Sequence, residues 1–396
     1  MRKEEPKIYL FIIWEKSRNK TEQILDDLRE KFVIRDVYEV KWSKGNFLNN
    51  LKRFYGQSLP DAQQKAEECG TDPFLLIIVS DPHPEFVEPS KSGFAPKKDL
   101  VNTNISDSKE EYRKWVGKEF TVHSSVSENE TNHNSTLLFG KNTQDFEKDL
   151  PEKWTGSIKN LESDLIGHDG WKDMKQLLYV MNGTLNYVIL RNFEGMPAEF
   201  DYHDVDILVN DEKLPYIADK DFSPFRDDPR TIELKVGEKT IMFNPNYFGD
   251  HYYDERWEKD ILKRRTFHPN GFYTPCKEDY FYTLLYHVTF HGRWKKIGKI
   301  SDKYKKILSG LAKELDMNEV TNRTFDDIDY SKKMVEEYMS RMSYRDPSTL
   351  SYKLTHGEFL RLVKVSIFIA KTQGIQFLLI AIKGKIRMMI KTKMRK

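Results

Sequence analysis

The chain has 396 residues, and its 64 lysines and arginines nearly balance its 62 aspartates and glutamates, which gives a formal net charge of +2. Single hydrophobic cores rarely grow beyond about 300 residues, so the length predicts at least two domains. The near-neutral balance excludes the strong positive field that attracts nucleic acid, and we expect no nucleic-acid partner. With 38% hydrophobic and 13% aromatic residues, the composition also excludes a wholly disordered protein.

Cysteine usage and the apolar segments bear on the compartment. The two cysteines, Cys69 and Cys276, form no C-x-x-C pair, which argues against a disulfide scaffold or a structural zinc site and favours a reducing compartment. The charged start of the chain lacks the pattern of a signal peptide, and no stretch of about 20 residues is free of charge. We therefore expect a cytoplasmic protein without a membrane-spanning helix.

The first 150 residues are predicted to form an α/β domain, to which the sequence assigns no role. Apolar runs at Lys7–Trp14, Val33–Val40 and Phe74–Val79 indicate strands, and the amphipathic stretches between them indicate helices. A further helix is expected over Lys109–Trp115. Strands that alternate with helices predict a mainly parallel sheet.

Near the end of this domain, Ser127 and Glu130 have the spacing of an S-x-x-E capping box, which predicts that a helix begins there. A helix N-terminus attracts anions, so His123 and Ser124, which precede it, are candidate substrate-binding residues. The alternative is that Ser127 and Glu130 only cap the helix and that His123 packs on its flank.

Beyond Trp154 the pattern changes to that of an α+β domain, predicted over residues 151–270. Its predicted elements are a helix at Lys172–Met181, strands at Tyr187–Leu190 and Asp204–Val209, and a hairpin formed by Thr231–Val236 and Lys239–Phe243. The helix is expected to end at Asn182-Gly183. Residues 271–356 are predicted to be helical, and residues 357–396 to form a basic amphipathic tail.

The strand D-V-D-I-L-V carries the residues that point most directly to chemistry. Side chains alternate across a strand, so Asp204 and Asp206 share one face. Two neighbouring carboxylates repel unless a cation lies between them, and these hard oxygen ligands suit Mg²⁺, or Mn²⁺, bound together with substrate phosphates. Replacing either aspartate with asparagine is therefore expected to abolish activity while leaving the fold intact or slightly more stable.

The order of helix, strand, short turn and acidic strand resembles the nucleotidyltransferase fold of the DNA polymerase beta-like superfamily. The segment YVILRNFEGMPAEFDYHDVDILV is similar to a branch of that superfamily found among bacterial surface-polysaccharide proteins, in which an L-R-N turn stands where the usual Gly-Ser pair sits. The resemblance extends loosely from Trp171 to Lys306. It implies an enzyme whose two strand aspartates bind the metal and act in catalysis.

The same resemblance implies that Arg191 and Asn192, in the L-R-N turn, hold a phosphate of the donor. A guanidinium suits this role because its planar fork can bind a phosphate through two parallel hydrogen bonds. The alternative for Arg191 is a structural ion pair with Glu194 or Asp201.

The family usually takes a third carboxylate from a later strand, and the equivalent segment here ends with Asn244 and no acid. An asparagine can bind a metal weakly, but it cannot act as a general base. Either Asp250 or Asp254 substitutes from the following loop, or catalysis is impaired. A non-catalytic protein is the consequence in the second case.

The helical region contains His287 and His291 at a spacing of four residues, which is typical of zinc ligands on a helix. A zinc site needs three or four convergent ligands, and no third ligand lies nearby in the sequence. The alternative is that the two histidines pack against Tyr282 and Tyr286.

The tail combines an apolar stretch, Phe359–Ile382, with seven basic and no acidic residues in the last fourteen positions. This combination predicts an interfacial helix that is drawn to an anionic membrane surface, such as the inner face of the cell membrane. The alternative is a C-terminal helix that packs on the protein.

The sequence as a whole predicts a Mg²⁺-dependent transferase of a nucleotidyl or phosphoryl-linked group, such as a sugar or polyol phosphate. The resemblance implies surface-glycan biosynthesis, with a nucleotide or nucleotide-activated donor and a glycan or lipid-linked acceptor. The alternatives are nucleotidyl transfer to a protein or small molecule, and a non-catalytic assembly factor with the same fold.

Overall fold

A computed structural model describes residues 7–56, 59, 62–88, 99–118, 120–198, 205–210, 213–218, 232–250, 252–291 and 299–347. Helices and mixed sheets both run through these residues, which confirms the predicted α+β class. The chain divides into two compact units: Met1–Leu185 with Lys213–Asp221, and Asn186–Glu212 with Phe222–Lys396. The first unit therefore extends past the predicted boundary near Leu150.

The first unit contains the elements predicted for the N-terminal domain and several more. In chain order they are β1 (Lys7–Ile13), α1 (Thr21–Lys31), β2 (Val33–Lys41), α2 (Phe47–Tyr55), α3 (Ala62–Cys69), β3 (Phe74–Asp81), β4 (Phe86–Val87), β5 (Val101–Asn102), α4 (Thr103–Val116), β6 (Val122–Ser124), α5 (Glu128–Phe139), α6 (Thr143–Glu147), β7 (Lys159–Glu162), α7 (Met174–Thr184) and α8 (Leu214–Ala218). Helix α4 begins earlier than predicted because the side chain of Asn102 accepts a hydrogen bond from the Ile105 N–H and caps it. Helix α7 continues through Gly183.

The main sheet of the first unit has the strand order β6-β1-β3-β2-β7. Strands β1 and β2 run in the same direction, as a helical connection predicts, but β3 lies between them and is antiparallel to both. Strand β6 is also antiparallel to β1, and only the β2–β7 pair is parallel. The prediction of a mainly parallel sheet was wrong. Helices α2 and α3 connect β2 to β3, yet β3 is antiparallel to β2, because two successive helices can return the chain in the opposite direction.

Strand β3 is the centre of this unit, and all eight of its residues are buried. Helices α1 and α4 cover one face of the sheet with Leu25, Leu28, Ile105 and Tyr112. Burial of one such side chain stabilises a fold by about 1.5–3 kcal/mol. The uninterrupted apolar run of β3 therefore reflects a strand that is covered on both faces.

The chain beyond Leu150 belongs to the first unit because two features attach it there. Strand β7 pairs with β2. Downstream of it, Asp164 accepts four hydrogen bonds: two from Ser43, one from Asn46 and one from Asn50. Burial alone would raise the pKa of Asp164, but these hydrogen bonds together hold it below its usual range. A charged carboxylate thus joins this segment to the connection between β2 and α2.

The second unit contains a small sheet followed by helices, as the sequence predicts, but the helix predicted at Lys172–Met181 in the same domain lies in the first unit as α7. Its elements are β8 (Tyr187–Ile189), β9 (Val205–Val209), β10 (Ile232–Val236), β11 (Lys239–Tyr247), α9 (Glu255–Lys263), β12 (Thr266–His268), β13 (Phe272–Thr274), α10 (Lys277–Phe290), α11 (Asp302–Glu314) and α12 (Ile328–Arg341). Strand β11 continues four residues past Phe243, where the sequence predicted its end. Throughout the residue ranges given above, no helix is both long and apolar enough to cross a bilayer.

A buried ion pair and stacked aromatic rings hold the helices of this unit together. Asp279 on α10 is fully buried, and it accepts hydrogen bonds from Arg264 at 2.7 and 3.0 Å and from the indole of Trp257 at 3.2 Å. Tyr282 on α10 stacks on Tyr338 of α12 with ring centroids 3.7 Å apart. These contacts give the sheet a rigid helical neighbour within its own unit.

The sheet of the second unit has the order β10-β11-β9-β8 and two chemically different faces. The apolar face is built from alternate residues of all four strands, namely Ile189, Val205, Ile207, Ile232, Leu234, Ile241 and Phe243. The opposite face carries the polar residues Glu233, Asp206, Asn244 and Asn246, together with the buried Val188 and Leu208. Because the side-chain period of a strand is two residues, burial of the first set directs the second set to the other face.

Candidate active site

Asp206 lies in the middle of the four-stranded sheet, on the face with polar residues. It is flanked in β9 by Val205 and Ile207, which are buried on the apolar face. The Asp206 side chain keeps 16% of its surface exposed. The alternation that the sequence predicts for this strand is therefore present at Asp206. Asp204, the other predicted metal ligand, lies outside the described residues, as does Asp201.

Asn244 lies directly beside Asp206. Strands β11 and β9 are parallel, and their register pairs Asn244 with Asp206. Paired residues of neighbouring strands direct their side chains to the same face, so the amide and the carboxylate are neighbours there. Pro245 lies two residues beyond the last described pair of β10 and β11, which joins Ile232 to Phe243. Asn244 is thus adjacent to Asp206 on one face of the sheet, and its equivalence to the third carboxylate stays a prediction.

The two acids proposed as substitutes for a third carboxylate serve the backbone instead. Asp254 is buried and caps α9, where Oδ1 accepts hydrogen bonds from the Arg256 and Trp257 N–H groups and Oδ2 accepts one from the Arg345 N–H. Asp250 accepts hydrogen bonds from two backbone N–H groups of its own loop. Asp254 thus has Oδ1 occupied by the cap of α9 and Oδ2 by the Arg345 N–H, and a role for either acid as the third carboxylate stays a prediction.

Arg191 follows β8 and forms an ion pair with Asp206. Its Nε lies 2.8 Å from Asp206 Oδ2, and the arginine is only 4% exposed. The contact is ionic rather than a well-aligned hydrogen bond, and Nη1 has no hydrogen-bond partner among the described residues. Burial would lower the pKa of Arg191, but the Asp206 charge and nearby tyrosines raise it above its usual value, so it stays charged.

This pairing changes the structural interpretation of Arg191. The sequence suggested Glu194 or Asp201 as the partner, but the Glu194 carboxylate accepts a hydrogen bond from the Tyr280 hydroxyl, and Arg191 pairs with Asp206. A buried donor without a partner is uncommon, because it costs about 1–3 kcal/mol. The unused Nη1 is therefore a feature that an anionic ligand would satisfy.

Tyr252 connects Arg191 to helix α10. The tyrosine lies close enough to Arg191 for each to shift the pKa of the other, and its Oη lies 2.9 Å from His287 Nδ1. Its ring stacks on His291, with centroids 4.1 Å apart and an interplanar angle of 12°. Burial and the Asp206 charge raise the pKa of Tyr252 to about 12, against the opposing effect of Arg191, so the phenol stays protonated. No local pattern marks this tyrosine as a site residue.

His287 and His291, the two histidines at zinc-ligand spacing, both contact Tyr252. Burial, together with the positive charge of Arg191, lowers the pKa of His287 to about 2, so its imidazole is neutral. His291 packs against Tyr286 as predicted, at 4.9 Å between ring centroids, and against Tyr252. Within the described part of the chain, no group of three His, Cys, Asp or Glu side chains is placed to hold a metal ion.

Asn192 adopts a backbone conformation that few residues accept. Its φ is +60°, in the left-handed region, which asparagine tolerates better than other residues with a Cβ. Its side-chain Oδ1 accepts a hydrogen bond of 2.9 Å from Lys303 Nζ on α11. The turn that carries Arg191 is thus joined to a helix more than a hundred residues later. Sequence reasoning missed Lys303 because nothing local marks it.

His123 and Ser124, the candidate substrate-binding residues of the first unit, lie in strand β6. Ser124 is completely buried, and His123 is 9% exposed and lies between the rings of Phe54 and Tyr55. His123 Nε2 is 3.3 Å from the amide nitrogen of Asn134. Burial and neighbouring cations keep the pKa of His123 well below its usual value. This environment matches the predicted alternative in which His123 packs on the flank of α5.

The capping residues of α5 also lie as predicted. Ser127 Oγ accepts a hydrogen bond from the Glu130 N–H, and Glu130 Oε2 accepts one from the Val126 N–H. Ser127 thus begins the helix, while Glu130 closes the turn one residue earlier than a standard capping box does. The predicted membrane-directed tail, residues 357–396, lies outside the described residues.

Comparisons of the chain with protein-family models, with curated proteins and with solved structures gave no match.

Proposed function

We propose that this protein is a Mg²⁺- or Mn²⁺-dependent transferase that acts on a phosphorylated donor. The observation that carries the proposal is the arrangement around Asp206: Asn244 lies beside it in register, and a buried guanidinium with an unused Nη1 lies against it. Carboxylate and amide oxygens are ligands that Mg²⁺ accepts, and a guanidinium is a preferred phosphate ligand. A metal and a phosphate would thus meet at one point of the sheet.

In this proposal each residue has a defined part. Asp206, together with Asp204, supplies the charged oxygens of the metal site, and Asn244 supplies a neutral one. Arg191 binds a donor phosphate through Nη1, and Tyr252 and His287 keep the guanidinium in place. A divalent cation bound there would neutralise charge that develops on the transferred phosphoryl group. Asn244 cannot accept a proton, so the acceptor hydroxyl must lose its proton to another group.

The biological setting follows from the resemblance of the L-R-N turn and the D-x-D strand to proteins of surface-polysaccharide synthesis. We propose a nucleotide-activated donor and a glycan or lipid-linked acceptor, in which case the basic tail would hold the enzyme at an anionic membrane. Asn244 in place of an acid favours a second candidate, a non-catalytic assembly factor that keeps the donor site.

The metal site can be tested by calorimetric titration of the full chain with MnCl₂. Wild type is expected to bind Mn²⁺, and Asp206→Asn to weaken binding at least about tenfold, because the loss of one charged ligand costs more than about 1.4 kcal/mol. Glu233→Gln is the matched control, since it removes one exposed carboxylate from the same face of the same sheet. Equal Mn²⁺ affinity in wild type and Asp206→Asn would refute the proposed site.

Activity assays distinguish phosphoryl-linked group transfer, nucleotidyl transfer and a non-catalytic assembly factor. Incubation with labelled nucleoside triphosphates should leave them intact if the enzyme transfers a sugar or polyol phosphate, and should label an acceptor if it transfers a nucleotidyl group. Mn²⁺ binding without turnover of any nucleotide-activated donor would favour the assembly factor.

A further inference from the structure

The ion pair between Arg191 and Asp206 engages the same carboxylate that the proposed metal needs. Arg191 Nε lies 2.8 Å from Asp206 Oδ2, on the face of the sheet where Asn244 is the neighbour of Asp206. A guanidinium and a divalent cation repel each other, and each is stabilised by the charge of a nearby carboxylate. A metal ion that binds Asp206 must therefore compete with Arg191 for that charge.

Arg191 is too deeply buried for water to replace Asp206 when the ion pair weakens. Its side chain is only 4% exposed. Tyr252 and Tyr253 lie close enough to affect the pKa of Arg191, but burial raises the pKa of both phenols, so neither supplies a negative charge at neutral pH. A buried charge that loses its partner is strongly unfavourable. Metal binding at Asp206 therefore requires another anion to compensate Arg191.

Arg191 has a buried donor through which such an anion can bind. Its Nη1 is without a hydrogen-bond partner among the described residues, whereas Nε faces Asp206. A guanidinium presents several N–H groups in one plane, so it can accept a phosphate at one edge while a carboxylate leaves another. A phosphate at Nη1 would thus neutralise Arg191 while Asp206 turns to the metal.

We infer that the Arg191–Asp206 ion pair is an autoinhibitory contact, which opposes metal binding until a phosphate binds Arg191. The inference rests on the proposed function, which takes Asp206 as a metal ligand and Arg191 as a phosphate ligand. Arg191 then has two opposite effects: without phosphate it competes with the metal for Asp206, and with phosphate it no longer does so. The coupling is reciprocal, so each ligand raises the affinity for the other by the same factor.

The test is calorimetric titration of the full chain with MnCl₂, with and without methylphosphonate, a soluble phosphate analogue, at the same concentration in syringe and cell. Wild type is expected to bind Mn²⁺ at least about fivefold more tightly with methylphosphonate, which is the lower end of typical couplings between two ligands. Equal Mn²⁺ affinities with and without the analogue would overturn the inference.

Arg191→Met separates competition from simple phosphate recruitment. Without methylphosphonate, this variant should bind Mn²⁺ at least about fivefold more tightly than wild type, because the competing charge is gone, and the analogue should have no further effect. An arginine that only recruits phosphate, or only supports the fold, would instead give equal or weaker Mn²⁺ binding in the variant, which would overturn the inference. Arg191→Lys keeps a charge and should keep the low Mn²⁺ affinity.

Lys303→Gln is the matched control, because it removes an exposed cation that is hydrogen bonded to Asn192, the residue after Arg191, and leaves the ion pair in place. It should change Mn²⁺ affinity by less than about twofold, since water and salt screen exposed charges. If Arg191→Met does not fold, the wild-type comparison and Arg191→Lys decide. Failure of the proposed function gives a different result: Mn²⁺ then binds wild type and Asp206→Asn equally, or binds neither, whether or not methylphosphonate is present.

Discussion

Replacing Asp206 with asparagine should destabilise the second unit even without a metal. Two repelling aspartates, considered alone, lead to the opposite expectation, namely that Asp206→Asn leaves the fold intact or slightly more stable. The structure reverses this stability expectation for Asp206, because its Oδ2 lies 2.8 Å from Arg191 Nε in an ion pair. Without the carboxylate, a guanidinium that is 4% exposed keeps its charge with no acid against it among the described residues.

The size of the effect follows from burial. Removing one partner of a buried ion pair costs about 3–5 kcal/mol, because the other charge stays buried and uncompensated. Asp206 retains 16% exposure, so water reaches the site and the lower end, about 3 kcal/mol, is expected. The measurement is hydrogen exchange in increasing urea with EDTA present, followed on peptides from β9 and β11, which reports on the second unit separately from the first.

A double-mutant cycle isolates the pair. Arg191→Met combined with Asp206→Asn should cost less than the sum of the single variants, with a coupling energy of about 0.5–3 kcal/mol. Glu233→Gln, on the same sheet but exposed, should change protection by no more than about 0.5 kcal/mol. Wild-type protection in Asp206→Asn would show that the ion pair does not form in solution, and this reasoning would be refuted.

Two further predictions concern the first unit and the helices. The pKa of Asp164 is lowered in the folded state, so its stabilising contribution is present above the unfolded pKa of about 3.9 and is lost as the pH falls through the folded value. Asp164→Asn should therefore remove that part of the acid dependence of the unfolding free energy, measured by urea titration at several pH values. An unchanged pH profile in Asp164→Asn would contradict the assignment. Gly183→Ala should cost about 1–3 kcal/mol in urea unfolding, because an added Cβ would lie within 3.0 Å of Thr136 Cβ and Cγ2. Gly310→Ala is its matched control: it is a helical glycine with open space around it, and it should instead stabilise by about 0.5–1 kcal/mol. Equal effects of the two alanine substitutions would refute the packing argument.

The sequence by itself determined the elements and their local chemistry. The uninterrupted apolar run of β3 predicts its burial correctly, and the alternation of β9 predicts the burial of Val205 and Ile207 on the face opposite Asp206, because strand periodicity is read from adjacent residues. Ser127 marks the start of α5 for the same local reason, since a cap acts within one helical turn. The choice of Asp206 and Asn244 as site residues also came from the sequence, and their role stays a prediction.

Tertiary structure alone decided which of these residues meet. That β3 inserts between β1 and β2, and that Asn244 pairs in register with Asp206, depends on how strands are ordered, which local patterns do not encode. The ionic partner of Arg191 and the hydrogen bond of Lys303 to Asn192, 111 residues away in the chain, were equally invisible in the sequence. Packing alone brings distant segments together, so the partners of these charges are determined only in the folded chain.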